Sequence, residues 1–138
     1  MNKPRHVKVW CATLAGLLLV GCAVQQKRAE QGVIPASFAP TEREIAFGKS
    51  IFMSLSEDHP IDTGSVHYRK PRDVFNPLAV SASTNPGDWR VALFDAPEIA
   101  DIRAVQGNYI FVWSGVFDVI ENDDELAGLL ACEMAHEL

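Results

Sequence analysis

The element that most constrains this chain is a helix beginning at Asn122. Asn122 and Glu125 stand at N-cap and N3 spacing. Asp123, Asp124 and Glu125 fill the first turn, where carboxylates stabilise the positive end of the helix dipole. Leu126, Leu129, Leu130 and Met134, with alanines between them, then make an apolar, closely packing element. No Gly, Pro or basic residue closes it before Leu138. The helix has a strong start signal and no stop signal, and its leucines need a layer to pack on.

Upstream residues supply that layer. Thr41 and Glu44 have capping-box spacing, and Ile45, Gly48, Ile51, Phe52 and Leu55 recur at helical intervals. This predicts a helix from Glu42 to about Ser56. Residues 57–77 carry Pro60, Gly64, Pro71 and Pro77 and read as loop, with a short strand near Val66–Tyr68. Leu78–Ser83 and Trp89–Asp95 read as strands separated by the turn Asn85-Pro86-Gly87. Ile102–Val105 and Tyr109–Trp113 form a second pair joined around Gln106-Gly107-Asn108. The predicted class is α+β, with helices packed on a small antiparallel or mixed sheet.

The first 22 residues have a different logic. Lys3, Arg5 and Lys8 precede an apolar run from Val9 to Val20, broken only by Thr13. About a dozen residues cannot cross a hydrocarbon core of roughly 30 Å as a helix, but they suit a signal peptide. Leu19-Val20-Gly21-Cys22 resembles the lipobox of bacterial lipoproteins. The plainer alternative is an ordinary cleaved leader with a chance cysteine. The resemblance implies a signal peptide over residues 1–21, carrying Cys11 away with it. Cys22 would be lipidated, and stable anchoring takes two or more acyl chains. Residues 22–40, with Gly32, Pro35 and Pro40, form a flexible spacer, and residues 41–138 form one small domain. Ala23 stands where an Asp would signal inner-membrane retention, so the expected location is the outer membrane, facing the periplasm. From Cys22 onward, nine Lys and Arg face eighteen Asp and Glu, a formal charge of −9. Such an acidic body argues against nucleic acid as a partner. Only Cys22 and Cys132 remain after cleavage, so no intramolecular disulfide is expected.

The chemistry-bearing residues lie on the last helix, in Cys132-Glu133-Met134-Ala135-His136. In an HExxH helix, two His at i and i+4 face one Zn²⁺, and the intervening Glu polarises the attacking water. E-x-x-H alone is a weak signal, and a solvated helical face produces it by chance. The context is more specific. Gly107 to Phe117, followed by Asn122-Asp123-Asp124-Glu125-Leu126-Ala127 and the run into Glu133, resembles the HtpX-like and CAAX-prenyl-protease-like zinc metallopeptidases. The likeness extends over about residues 41–138 and is strongest over 107–137.

That resemblance implies the N-terminal half of a zincin-like domain, ending in the active-site helix. It makes Glu133 the general base and His136 a zinc ligand, with Cys132 in the place of the first His. A cysteine sulfur lies about 2.8 Å from its own Cα, so it reaches less far than an imidazole. The family's third ligand is a Glu on a later helix, which leads us to expect an incomplete or decayed copy. His59 and His67 are spare donors in principle but read better as loop residues. Ala100-Asp101 and Val105-Gln106-Gly107 replace the family's "NA…PGG" stretch. The strand around Ile110, Phe111 and Val112 is expected to pair with extended substrate.

Three functions follow as expectations. The first is a lipid-anchored zinc metalloendopeptidase acting on unfolded or misassembled envelope polypeptides, incomplete or inactive as it stands. The second is a non-catalytic, chaperone-like polypeptide-binding lipoprotein. The third is a poorly folding chain whose exposed leucines promote association. Zinc stoichiometry separates the first from the others.

Overall fold

The computed structural model describes residues 39–138. The expected signal peptide, the expected lipidation site Cys22 and nearly all of the expected spacer lie outside the described residues. Among those described, no helix is long and apolar enough to cross a membrane.

Helix α1 spans Glu42–Asp58 and starts with the predicted capping box. The Glu44 amide donates to Thr41 Oγ1 at 3.3 Å, and the Thr41 amide donates to Glu44 Oε2 at 2.7 Å. The Thr41 amide, together with the Thr41 hydroxyl that donates to the same oxygen at 2.8 Å, holds the Glu44 carboxyl below its ordinary pKa. Helix α2 spans Lys70–Ser81. Strands β1 (Arg90–Phe94), β2 (Ile102–Val105) and β3 (Tyr109–Trp113) follow, and α3 (Asp123–Glu137) ends the described chain.

Helix α2 corrects the reading of residues 57–83. Instead of loop and a strand over Leu78–Ser83, residues 70–81 are helical, and Val66–Tyr68 is turn rather than strand. Pro71 lies in the first turn, where its missing N–H has no intrahelical partner to lose. Pro77 lies inside the helix and forfeits one backbone bond. Packing outweighs that loss, because Phe75 and Ala79 are fully buried and Val74, Leu78 and Ala82 close around them. The helix ends where Ser83 turns to φ 59° and Thr84 donates back to the Ala79 carbonyl at 2.9 Å.

The sheet order is β1-β3-β2, with β1 parallel and β2 antiparallel to β3. It is therefore mixed, and the domain is α+β. Every residue of β3 is buried because both faces of the sheet are covered. Ile110 and Val112 join Phe75, Leu93, Leu126, Leu130 and Met134 in the core under α2 and α3. Tyr109, Phe111 and Trp113 point the other way, into a core closed by Ile51, Phe52 and Leu55 of α1.

The β2–β3 turn fixes α1 on its face. Gly107 has φ 90°, and a Cβ there would stand 2.5 Å from the Glu44 carbonyl oxygen. Gly48 likewise leaves no room for a side chain against Gln106 and Tyr109. These two close approaches, with the Tyr109 ring lying over Gly48, seat the helix start on the hairpin.

Candidate functional site

Helix α3 buries Leu126, Leu130 and Met134 against the sheet. Its start is as the sequence foretells: Asn122 Oδ1 accepts from the Glu125 amide at 3.0 Å. The Glu125 carboxylate reaches the Glu121 amide at 2.9 Å, one residue before the cap. Leu129, on the other side, is 44% exposed.

The buried stripe leaves Cys132 exposed and turns Glu133 toward the sheet. Glu133 Oε2 accepts a hydrogen bond from the Ala104 amide at 2.9 Å. His136 Nδ1 lies 3.8 Å from the same oxygen, an ion pair only when the imidazole is protonated, and its side chain is 65% exposed. Next to it, burial raises the pKa of the Glu137 carboxyl, and the nearby Glu44 charge raises it further.

Ala104 belongs to β2, and the register determines what this contact means. Ala104 stands opposite Ile110, and Ile102 opposite Val112. The Ala104 N–H reaches α3, so it points away from β3. By the two-residue alternation of an antiparallel pair, the Ile102 N–H points the same way. It donates to the Asp101 side chain at 2.9 Å. Both outward amides of β2 are thus held by carboxylates. Asp101 also grips Arg103 at 2.6 Å, and its carbonyl accepts from the Trp113 amide at 3.1 Å.

This geometry is at odds with the expectation that Ile110, Phe111 and Val112 pair with an added strand. Ile110, Phe111 and Val112 lie in the central strand, bonded on both sides and at most 1% exposed. No added strand can pair there without expelling β1 or β2. The strand edge beside Glu133 is β2. Sequence reasoning located β2 but not its position in the sheet, and it noted Asp101 only as a departure from the family pattern, with no role at the strand edge. The local signal was present: Arg103 is a solvent residue between apolar neighbours, as an edge strand allows.

The donors fit a catalytic zinc poorly. Such a site takes about three protein ligands and a water. Among the described residues, no group of three or more His, Cys, Asp and Glu side chains converges on one point. His67 stacks on Phe117, ring centroids 4.1 Å apart, and His59 caps the C-terminus of α1. Cys132, Glu133 and His136 share the last turns of one helix, but the Glu133 carboxylate is engaged by β2 and the other two face outward. We therefore derive no metal-dependent step from them.

A sequence profile, that of peptidase family M48, matches residues 68–138, just over half of the chain. The match takes in α2, the whole sheet and α3, and leaves α1 outside. No curated protein and no solved structure matches.

Proposed function

The chain belongs to peptidase family M48, a generally zinc-dependent metallopeptidase family, and from that premise we propose a lipid-anchored cell-envelope protein that holds extended polypeptide along the outer edge of β2. The observation that carries this reading is the bond from the Ala104 amide to Glu133. The residue at the family's general-base position rests where the backbone of an added strand would lie.

An incoming carbonyl replaces Glu133 on the Ala104 N–H, and the Ala104 carbonyl accepts from the incoming amide. The released carboxylate then faces the bound backbone. In enzymes of this family zinc supplies the polarised water at that point, and the described residues do not by themselves hold it. The substrates are unfolded or misassembled envelope polypeptides, brought within reach by an anchor at Cys22. Palmitate incorporation that disappears in Cys22→Ser tests the anchor.

Binding of a fluorescent, unstructured polypeptide tests the edge. Glu133→Ala frees the Ala104 amide and should tighten binding several-fold, since a charge-assisted bond contributes roughly 1.5–3 kcal/mol before solvent screening. Unchanged binding would show that the β2 edge is not where polypeptide is held.

A second reading, an active zinc endopeptidase, is favoured by the family match running through Glu133 and His136. One tightly bound Zn²⁺ per purified chain, lost in Cys132→Ala and in His136→Ala, would establish it over the first. Without that zinc, Cys132→His should create an i, i+4 histidine pair and raise zinc affinity by at least tenfold.

A further inference from the structure

The opposite edge of the sheet has its own chemistry. The Arg90 amide donates to the Asn108 carbonyl at 2.8 Å, so it points toward β3. By alternation along the parallel pair, the N–H and C=O of Val91 and Leu93 point outward. The Leu93 carbonyl accepts from the Asp62 amide at 2.9 Å, and the Asp95 amide donates to the Pro60 carbonyl at 2.8 Å. Residues 60–62 therefore strap the second half of the β1 edge, around the Ile61–Phe94 bridge. Among the described residues, no strand covers the half at Val91.

Two grooves meet at that uncovered half, and Arg90 and Val91 line both. One, of about 660 Å³, runs on the α2 side past Tyr68, Arg69 and Arg72. The other, of about 570 Å³, runs on the α1 side past Lys49, Phe52 and Met53. Tyr68 and Met53 are each about half exposed, one on either side of the strand, and offer apolar footing for alternate side chains.

The charges are lopsided. Residues 39–138 contain seven basic residues: Arg43, Lys49, Arg69, Lys70, Arg72, Arg90 and Arg103. Four of them, Lys49, Arg69, Arg72 and Arg90, line these two grooves, against one carboxylate, Asp73. Lys70 is paired with Asp123 at 2.8 Å, and Arg103 with Asp101. Arg72 donates to the outward Trp89 carbonyl at 2.7 Å, which fixes its guanidinium beside the edge. Arg90 lies 5.3 Å from the centre of the Tyr109 ring. In a chain with an excess of acid, the cations are concentrated around one open strand.

We propose that the Val91 edge of β1 docks an extended acidic segment of a partner polypeptide, as an added strand with its carboxylates against Arg69, Arg90 and Lys49. The backbone supplies register through Val91, and the cations select acidic sequence. This surface is separate from the β2 edge and does not rest on the polypeptide-holding role proposed there.

The test is fluorescence anisotropy on the full chain with a labelled peptide of alternating Glu and Val. Controls are its Gln-for-Glu counterpart, the same peptide N-methylated at alternate residues, and phosphatidylglycerol vesicles. The acidic peptide should bind at least tenfold more tightly than the Gln peptide at low salt, and Arg90→Glu with Lys49→Glu should abolish that preference. Val91→Pro removes the outward N–H while leaving every cation, and should weaken binding by at least fivefold. The N-methylated peptide should show the same loss on the unaltered chain, independently of how Val91→Pro folds. Equal binding of the N-methylated peptide would overturn strand addition. Equal binding of the Gln peptide would overturn acidic selectivity. Vesicle binding at the cationic residues without peptide binding would assign the patch to a membrane surface instead.

Discussion

The two edges of this three-stranded sheet are closed by opposite means. At β2, side-chain carboxylates hold both outward amides, Asp101 on Ile102 and Glu133 on Ala104. At β1, main chain from the 60–62 strap covers one half, and cations surround the half left open. A carboxylate cover can be displaced by a competing carbonyl. A backbone strap must unfold locally before it yields. The β2 edge is thus gated by two side-chain carboxylates, and the open half of the β1 edge is the one proposed to select for charge. An exposed edge invites unwanted pairing, so each device also serves as protection.

The largest effect on this contrast should come from loosening α3. Leu130 is fully buried and holds the helix carrying Glu133 against β2. Leu130→Ala should cost about 2–5 kcal/mol, measured by urea unfolding. It should also speed hydrogen exchange at Ala104 more than at Ala92, on the far side of β3. Equal acceleration would mean that α3 does not specifically hold the β2 edge.

Next comes the strap. Burial disfavours the charge on Asp62, but hydrogen bonds from Ser65 and Gly64 outweigh it and hold the carboxyl below its ordinary pKa. The depressed value means that this stability is present above the unfolded carboxyl pKa of about 3.9 and is lost as pH falls through the folded value. Asp62→Ala should cost about 1–3 kcal/mol near neutrality. It should also abolish the acid-dependent increase in exchange at the Asp95 amide. An unaltered pH profile would detach Asp62 from the strap.

Glu133→Ala should have a smaller effect on stability, about 1 kcal/mol or less, because the carboxylate is partly solvated. Its signature is local, a several-fold faster exchange at Ala104 with Ile102 little changed. The smallest effect belongs to Glu137. Its raised pKa means that its ionised form opposes folding above the ordinary carboxyl range and stops doing so as pH falls. Glu137→Gln should therefore raise Tm slightly at pH 7, by roughly 1–3 °C, and not at pH 3. A lower Tm at pH 7 would show that its contacts outweigh that penalty.

Much of this was legible in the sequence because it is local. Thr41 with Glu44, and Asn122 with Glu125, mark helix starts through bonds between near neighbours. The bounds of β2 and β3 follow from alternation and the Gly107-Asn108 turn. Helix α2 was hidden because Pro71 and Pro77 are read as breakers, although position spares the first and burial of Phe75 and Ala79 tolerates the second. The order β1-β3-β2 was not legible, since pairing of β1 with β3 is a nonlocal choice that skips β2. For that reason the expected pairing strand fell on Ile110–Val112, which the structure places at the centre of the sheet. Glu133 was found by its spacing to His136, but Ala104, its partner on β2, lies 29 residues away.

The most direct measurement is an amide-resolved NMR titration of the full chain with an unstructured, uncharged polypeptide. Polypeptide binding at the β2 edge predicts that the Ala104 and Ile102 amides shift on binding, that Glu133→Ala strengthens the effect, and that Val91 and Leu93 stay unchanged. Shifts at Val91 and Leu93 without any at Ala104 would contradict it.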